Sequence, residues 1–153
     1  MKALLVSACL LGVCCKYSGG HNALPEAQLT KLRQRYRLVP VCPEQAGGLP
    51  TPRVPSERRG EGVFSRDGRD VTAAFQKGAQ AALALAQSEG CAMALLKERS
   101  PSCGRGEIYD GSFSGRVTPG DGVTAELLLA HGVEVLGESE IGGLLRKHEK
   151  EVV

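Results

Sequence analysis

The chain of 153 residues, 42% hydrophobic, with 20 glycines, eight prolines and six cysteines, suits one domain over 1–153 that buries roughly two-thirds of its unfolded surface without disulfide staples. The glycine and proline content excludes a coiled coil, and the opening "ALLV" run is far too short for a signal segment or a membrane helix. A net charge of +2 with no long basic run gives no footprint for DNA or RNA.

Residues 2–8 are apolar and bounded by glycine-rich chain, as in a buried strand. Pro25 suits a first helical turn, and Leu29, Leu32 and Tyr36 at helical spacing predict a helix from there to near Arg37. "LVPVC" (38–42) reads as the second strand. The next twenty residues, "PEQAGGLPTPRVPSERRGEG", hold four prolines and four glycines, so a loop without regular structure is expected there. Loops of that length in a small domain are usually functional. "GVFSRDGRDVT" predicts a hairpin-like excursion turning at Asp67 and Gly68.

Val71, Phe75, Ala79, Ala82, Leu83 and Ala86 trace one face of a helix over 71–88, capped by Asp70 or Thr72 and stopped by Gly90. "CAMALLK" (91–97) is a third buried strand, followed by the breaker-rich "ERSPSCGRG". A helix over 122–132, a fourth strand over 133–137 and a short helix over about 139–150 complete the chain. The alternation of helices with continuously apolar strands predicts an α/β fold, a Rossmann-like three-layer domain with a small, mostly parallel sheet. In such sheets ligands bind beyond the carboxyl ends of the strands.

That rule sorts the cysteines, which in the reducing cytoplasm expected for this chain serve as thiols, metal ligands or redox groups. Cys9 follows the first strand, Cys42 ends the second and Cys103 lies in the loop after the third, all on one edge of the sheet. Cys91 begins the third strand, at the opposite end, and reads as a small buried hydrophobe. Cys14 and Cys15 are adjacent, so their side chains diverge and a disulfide between them would be strained. With no C-x-x-C and no H-x-x-x-H, the common zinc fingerprints are excluded. Spacing leaves three readings for Cys9, Cys42 and Cys103: zinc with a water, a [4Fe-4S] cluster with one iron lacking a cysteine, or unrelated loop thiols.

The neighbouring residues bring chemistry to the same edge. Glu44, two residues after Cys42, is placed for general acid or base work, or is a solvated loop charge. "KERSPSCG" sets Lys97 and the hydroxyls of Ser100 and Ser102 beside Cys103, and Arg53 in "GGLPTPR" suits a phosphate or a carboxylate.

"SACLLGVCCKYSGG", "VPVCPEQAGGLPTPR", "DVTAAFQKGA", "LLKERSPSCG" and "IYDGSFSG" stand in an order that resembles the thiouracil desulfidase family, over nearly the whole chain to about Glu138. The resemblance implies a [4Fe-4S] cluster held by three cysteines, carried over onto Cys9, Cys42 and Cys103, with one iron open to a thiocarbonyl sulfur. It implies a non-redox hydrolysis in which a base, matching Glu44, activates water, Ser100 relays a proton or donates to the substrate, and Lys97 stabilises negative charge. Ser18 stands where the family often has Asp.

The implied substrates are 2- or 4-thiouracil or 4-thiouridine monophosphate, favoured over tRNA by the lack of a basic run. Arg53, Ser102, Tyr17 and Asn22 are expected around the substrate, in a monomer or homodimer with no DNA or membrane partner. Two alternatives of another kind are a zinc-bearing nucleotide-binding module without catalysis and a redox thiol protein using Cys14 and Cys15.

Overall fold

The structure, a computed structural model, describes residues 1–152, with side chains to Arg146; the expected domain limit at 153 lies outside the described residues. Strand β1 (Lys2–Ser7) leads through a 3-10 turn over Ala8–Leu11 and a long loop to α1 (Glu26–Arg35) and β2 (Tyr36–Val41). Helix α1 stops about two residues earlier than its pattern suggests because Tyr36 is already extended. Its ring is buried and its hydroxyl donates to the Leu144 carbonyl at 2.9 Å. A buried aromatic with a satisfied hydroxyl outweighs the last residues of helix.

The expected irregular loop over 43–62 is more ordered than its prolines suggest. It opens with the single turn α2 (Pro43–Ala46), where Pro43 sits at the first position and so gives up no needed N–H, and it ends in β3 (Ser56–Arg59). β3 pairs antiparallel with β4 (Gly62–Ser65) from Ser56↔Ser65 to Arg59↔Gly62. Asp67 and Gly68 do turn the chain, Gly68 at φ +86° donating to the Ser65 carbonyl, but beyond this hairpin rather than as its tip.

Helix α3 (Thr72–Glu89) runs to the left-handed Gly90. Asp70 accepts from the Thr72 N–H at 2.9 Å, whereas the Thr72 hydroxyl accepts from Val63 and ties the helix to β4. β5 (Met93–Leu96), a short antiparallel ribbon of β6 (Glu107–Tyr109) and β7 (Val117–Pro119), α4 (Val123–Ala130), β8 (Glu134–Gly137) and α5 (Ile141–Val152) follow.

The central sheet has order β2-β1-β5-β8 and every pair in it is parallel. Alternate residues of β1 enter opposite layers: Ala3 and Leu5 join Ala82, Leu83, Ala86, Ala125 and Leu128 of α3 and α4, and Leu4 and Val6 join Leu32 of α1 and Ile141 and Leu144 of α5. The three-layer reading therefore holds. Among the described residues no helix is long and apolar enough to cross a membrane.

One contact places the loop after β2. A Cβ on Gly47 would lie 2.0 Å from the Ala74 carbonyl oxygen, and one on Gly78 would lie 2.0 Å from that of Pro43. The backbones of α2 and α3 meet there with no room for a side chain on either.

Candidate active site

The chain runs from β1 to β2 on one side and, through α3, to β5 on the other, so the strand order reverses beside β1. Loops part at such a point and leave a crevice at the carboxyl ends of the strands. There a pocket of about 520 Å³ is lined by Cys9, Cys15, Cys42, Cys103, Glu44, Arg53, Lys97 and Ser100, with Asn22 and Tyr17 on its wall.

Cys9 lies in the 3-10 turn directly after β1, its carbonyl accepting from the Asn22 N–H at 3.0 Å. Cys42 caps α2, and its thiol donates to the Cys15 carbonyl at 3.8 Å. Cys103 is buried; the Ser100 hydroxyl oxygen accepts from the N–H groups of Cys103 at 3.0 Å and Ser102 at 3.1 Å, which fixes the turn that carries the thiol. Cys91 is buried at the far end of β5, in the layer with α3 and α4. Cys14 and Cys15 do diverge, Cys14 exposed and Cys15 buried on the pocket wall.

Glu44 pairs with Arg53 through Oε2 at 3.0 Å, while its buried Oε1 has no hydrogen-bond partner. Burial pushes the Glu44 carboxyl above its ordinary range, opposed chiefly by the Arg53 guanidinium and then by the Ser102 hydroxyl. Arg53 Nη2 also donates to the Cys15 carbonyl at 3.1 Å, and Nη1 to the Pro50 carbonyl and the Thr51 hydroxyl. Lys97 meets Glu138 at 2.6 Å, a partner that its sequence neighbourhood does not reveal. Ser102 is the one predicted site residue the fold keeps off the pocket wall. It is fully buried, and its hydroxyl is 2.8 Å from that of Thr124.

The thiols raise one another's cost of ionisation. Burial pushes up Cys9, which Asn22 opposes and Glu44 and Cys42 reinforce; burial and then Cys42 push Cys15 up to about 12; burial and then Glu44 push Cys103 well up. For Cys9, Cys15 and Cys103 beside the Glu44 carboxyl, a bound iron or zinc would favour the thiolate forms that burial opposes. Among the described residues no three Cys, His, Asp or Glu side chains come close enough to hold a single metal ion. A cubane takes its cysteines on different irons, so thiols that ring a cavity suit it better than they suit one zinc.

Sequence reasoning missed the outer wall, where Glu57, Arg66, Tyr109 and Phe113 line the pocket. The Arg66 guanidinium lies 5.7 Å from the centre of the Phe113 ring, and Glu57 Oε1 accepts from the N–H groups of Gly111 at 2.9 Å and Phe113 at 3.1 Å. The block "IYDGSFSG" marks that segment, but nothing in it singles out Phe113.

Thiols from the loops after β1, β2 and β5, set around a half-paired carboxylate at the switch point of a parallel sheet, define a Rossmann-like domain with a thiol-lined active-site pocket. The family model for 2-thiouracil desulfurase matches residues 4–140, and the chain belongs to that family. This agrees with the resemblance carried by the five sequence blocks. A solved structure of the [4Fe-4S]-dependent thiouracil desulfidase TudS is 44% identical, covers 100% of both chains and superposes with a TM-score of 0.92. The Bacillus subtilis (strain 168) uncharacterized protein YbbK is 41% identical over 152 residues, 93% of this chain and 99% of its own.

Proposed function

We propose that this chain is a [4Fe-4S]-dependent desulfidase that hydrolyses the C=S bond of thiolated uracil compounds, consuming one water and releasing hydrogen sulfide without net electron transfer. The observation that carries this reading is the convergence of the Cys9, Cys42 and Cys103 loops on one pocket beside the unpartnered Glu44 Oε1. Cys9, Cys42 and Cys103 would hold the cluster as three thiolates, with one iron left without a cysteine. When bound, the cluster supplies a soft Lewis acid for a thiocarbonyl sulfur, which hard magnesium or calcium sites do not.

The remaining chemistry belongs to side chains. Glu44, held on the pocket wall by Arg53 through Oε2, takes a proton from the attacking water, its basicity raised by burial. Ser100 has its oxygen occupied by two backbone N–H groups, which leaves the hydroxyl hydrogen to be donated into the pocket. Lys97 brings positive charge, tempered by Glu138. Asn22 and Tyr17 shape the wall.

The pocket supports a choice of substrate class. About 520 Å³ exceeds what a single pyrimidine ring fills, and the Arg66 and Phe113 wall offers a cation and an aromatic face to a sugar phosphate. Thiouracil and 4-thiouridine monophosphate are the substrates assigned, ahead of tRNA, in a cytoplasmic monomer or homodimer. Sulfide release should be measured with anaerobically reconstituted protein across free thiouracils, thiouridines, their monophosphates and thiolated tRNA. Brown protein with about four irons per chain and release from the base or monophosphate is expected. A protein that stays colourless after reconstitution, or one active on tRNA alone, overturns the corresponding part. The zinc-bearing module predicts zinc without acid-labile sulfide.

A further inference from the structure

We propose that Arg53 is a positioning residue for Glu44, holding the carboxylate by Oε2 and so fixing its direction, and that it is not a contact for a substrate phosphate. The inference rests on Glu44 being the base. An arginine fork that reads a carboxylate usually occupies both oxygens. Here a single nitrogen, Nη2, meets Oε2 at 3.0 Å, and the other carboxylate oxygen is buried without a partner. The asymmetry arises because the guanidinium is shared.

Nη2 also donates to the Cys15 carbonyl at 3.1 Å, and Nη1 donates to the Pro50 carbonyl at 3.2 Å and the Thr51 hydroxyl at 3.1 Å. Each Nη nitrogen carries two hydrogens and each has two protein acceptors, so a phosphate would find only the Nε–H, one donor short of a two-pronged grip. The backbone is pinned as well, the Arg53 N–H donating to the Tyr17 carbonyl at 2.7 Å. With its side chain only 10% exposed, Arg53 cannot swing out without breaking the tie between the loops after β1 and β2. Those loops carry Cys9 and Cys42, and the Cys42 thiol donates to the same Cys15 carbonyl. Arg53 therefore sets the carboxylate's direction through Oε2.

Cluster-loaded Arg53→Gln, Arg53→Lys, Glu44→Gln and the Glu44→Gln/Arg53→Gln double variant test this. Arg53→Gln is expected to keep the visible absorption of the cluster and to lower kcat on 2-thiouracil by about tenfold or more, with KM within about twofold. Arg53→Lys should regain part of kcat. The double variant should be no slower than Glu44→Gln alone, since residues acting through one another are not additive. A crystal structure of loaded Arg53→Gln should show the Glu44 carboxylate rotated from its present orientation.

An unmoved Glu44, or losses that multiply in the double variant, overturns the proposal. So does a normal kcat in Arg53→Gln with KM raised only for the monophosphate, which would make Arg53 the phosphate contact. An inactive Glu44→Gln beside a normal Arg53→Gln refutes positioning and leaves the base in place; a fully active Glu44→Gln refutes both. Should Arg53→Gln lose the cluster, Arg53→Lys carries the same readouts, because it keeps the charge but not the fork.

Discussion

Cys103 shows how little a thiol's own burial says about its role. Cys91 is as well buried, yet it sits at the amino end of β5, whereas Cys103 sits beyond the carboxyl end, on a turn that the Ser100 oxygen holds through two N–H bonds. Replacing Cys9, Cys42 or Cys103 by Ala should abolish the visible absorption of the cluster along with sulfide release. Cys91→Ala should keep both, at a stability cost of about 1 kcal/mol, roughly that of deleting one small buried group. Full activity in Cys103→Ala would refute the ligand set. Glu44→Gln should bind the cluster normally, by absorption and iron content, and lose turnover, because an amide oxygen is too weak a base to take the proton.

Among the elements, α3 does most to place the site. Its contact with α2 at Gly47 and Gly78 admits no Cβ, so Gly78→Ala should push Pro43, and with it Cys42 and Glu44, off position. The expected outcome is a loss of about 1–3 kcal/mol in thermal or denaturant unfolding, the usual cost of overpacking, together with poorer retention of iron; an unchanged melt and full iron occupancy would contradict the contact. The start of α3 gives a pH signature of its own. Thr72, through its side chain and then its N–H, holds the Asp70 carboxyl below the usual aspartate range. A carboxyl depressed in the folded state adds stability above its unfolded value of about 3.9 and loses it as pH falls through the folded value. Asp70→Asn should thus melt below the parent at neutral pH, with the gap closing in acid. Melts recorded from pH 7 to 2 check the sign.

Across the whole molecule, Arg58 links the β3-β4 hairpin to α4. Its guanidinium meets Glu126 at 2.6 Å and donates to the Asp121 and Gly60 carbonyls from a nearly buried position. Because Glu126 is half exposed, Arg58→Met should cost only about 1–2 kcal/mol, a fall of about 2–4 °C in Tm for each; a melt unchanged within a degree would show that the link contributes nothing.

The parallel sheet was legible because each of its strands is built around a short apolar run, and the strand-end rule then brought Cys9, Cys42 and Cys103 together from three distant segments. The β6-β7 ribbon was not, since three-residue strands of mixed polarity leave no period to read. Adjacency foretold that Cys14 and Cys15 diverge, but which one turns inward depends on the fold around the Cys15 carbonyl. Glu138 and Phe113 were invisible for the same reason: their partners lie 41 and 56 residues away.

The glycine contact between α2 and α3 also bears on how such a site can be transplanted. The segment over 42–53, with its thiol, carboxylate and arginine, looks portable as a cassette. Its orientation, however, is read off a bare backbone patch on a helix some thirty residues downstream, so a host lacking a glycine opposite Pro43 would receive the chemistry and lose the aim. The unit that moves intact runs from β2 through α3.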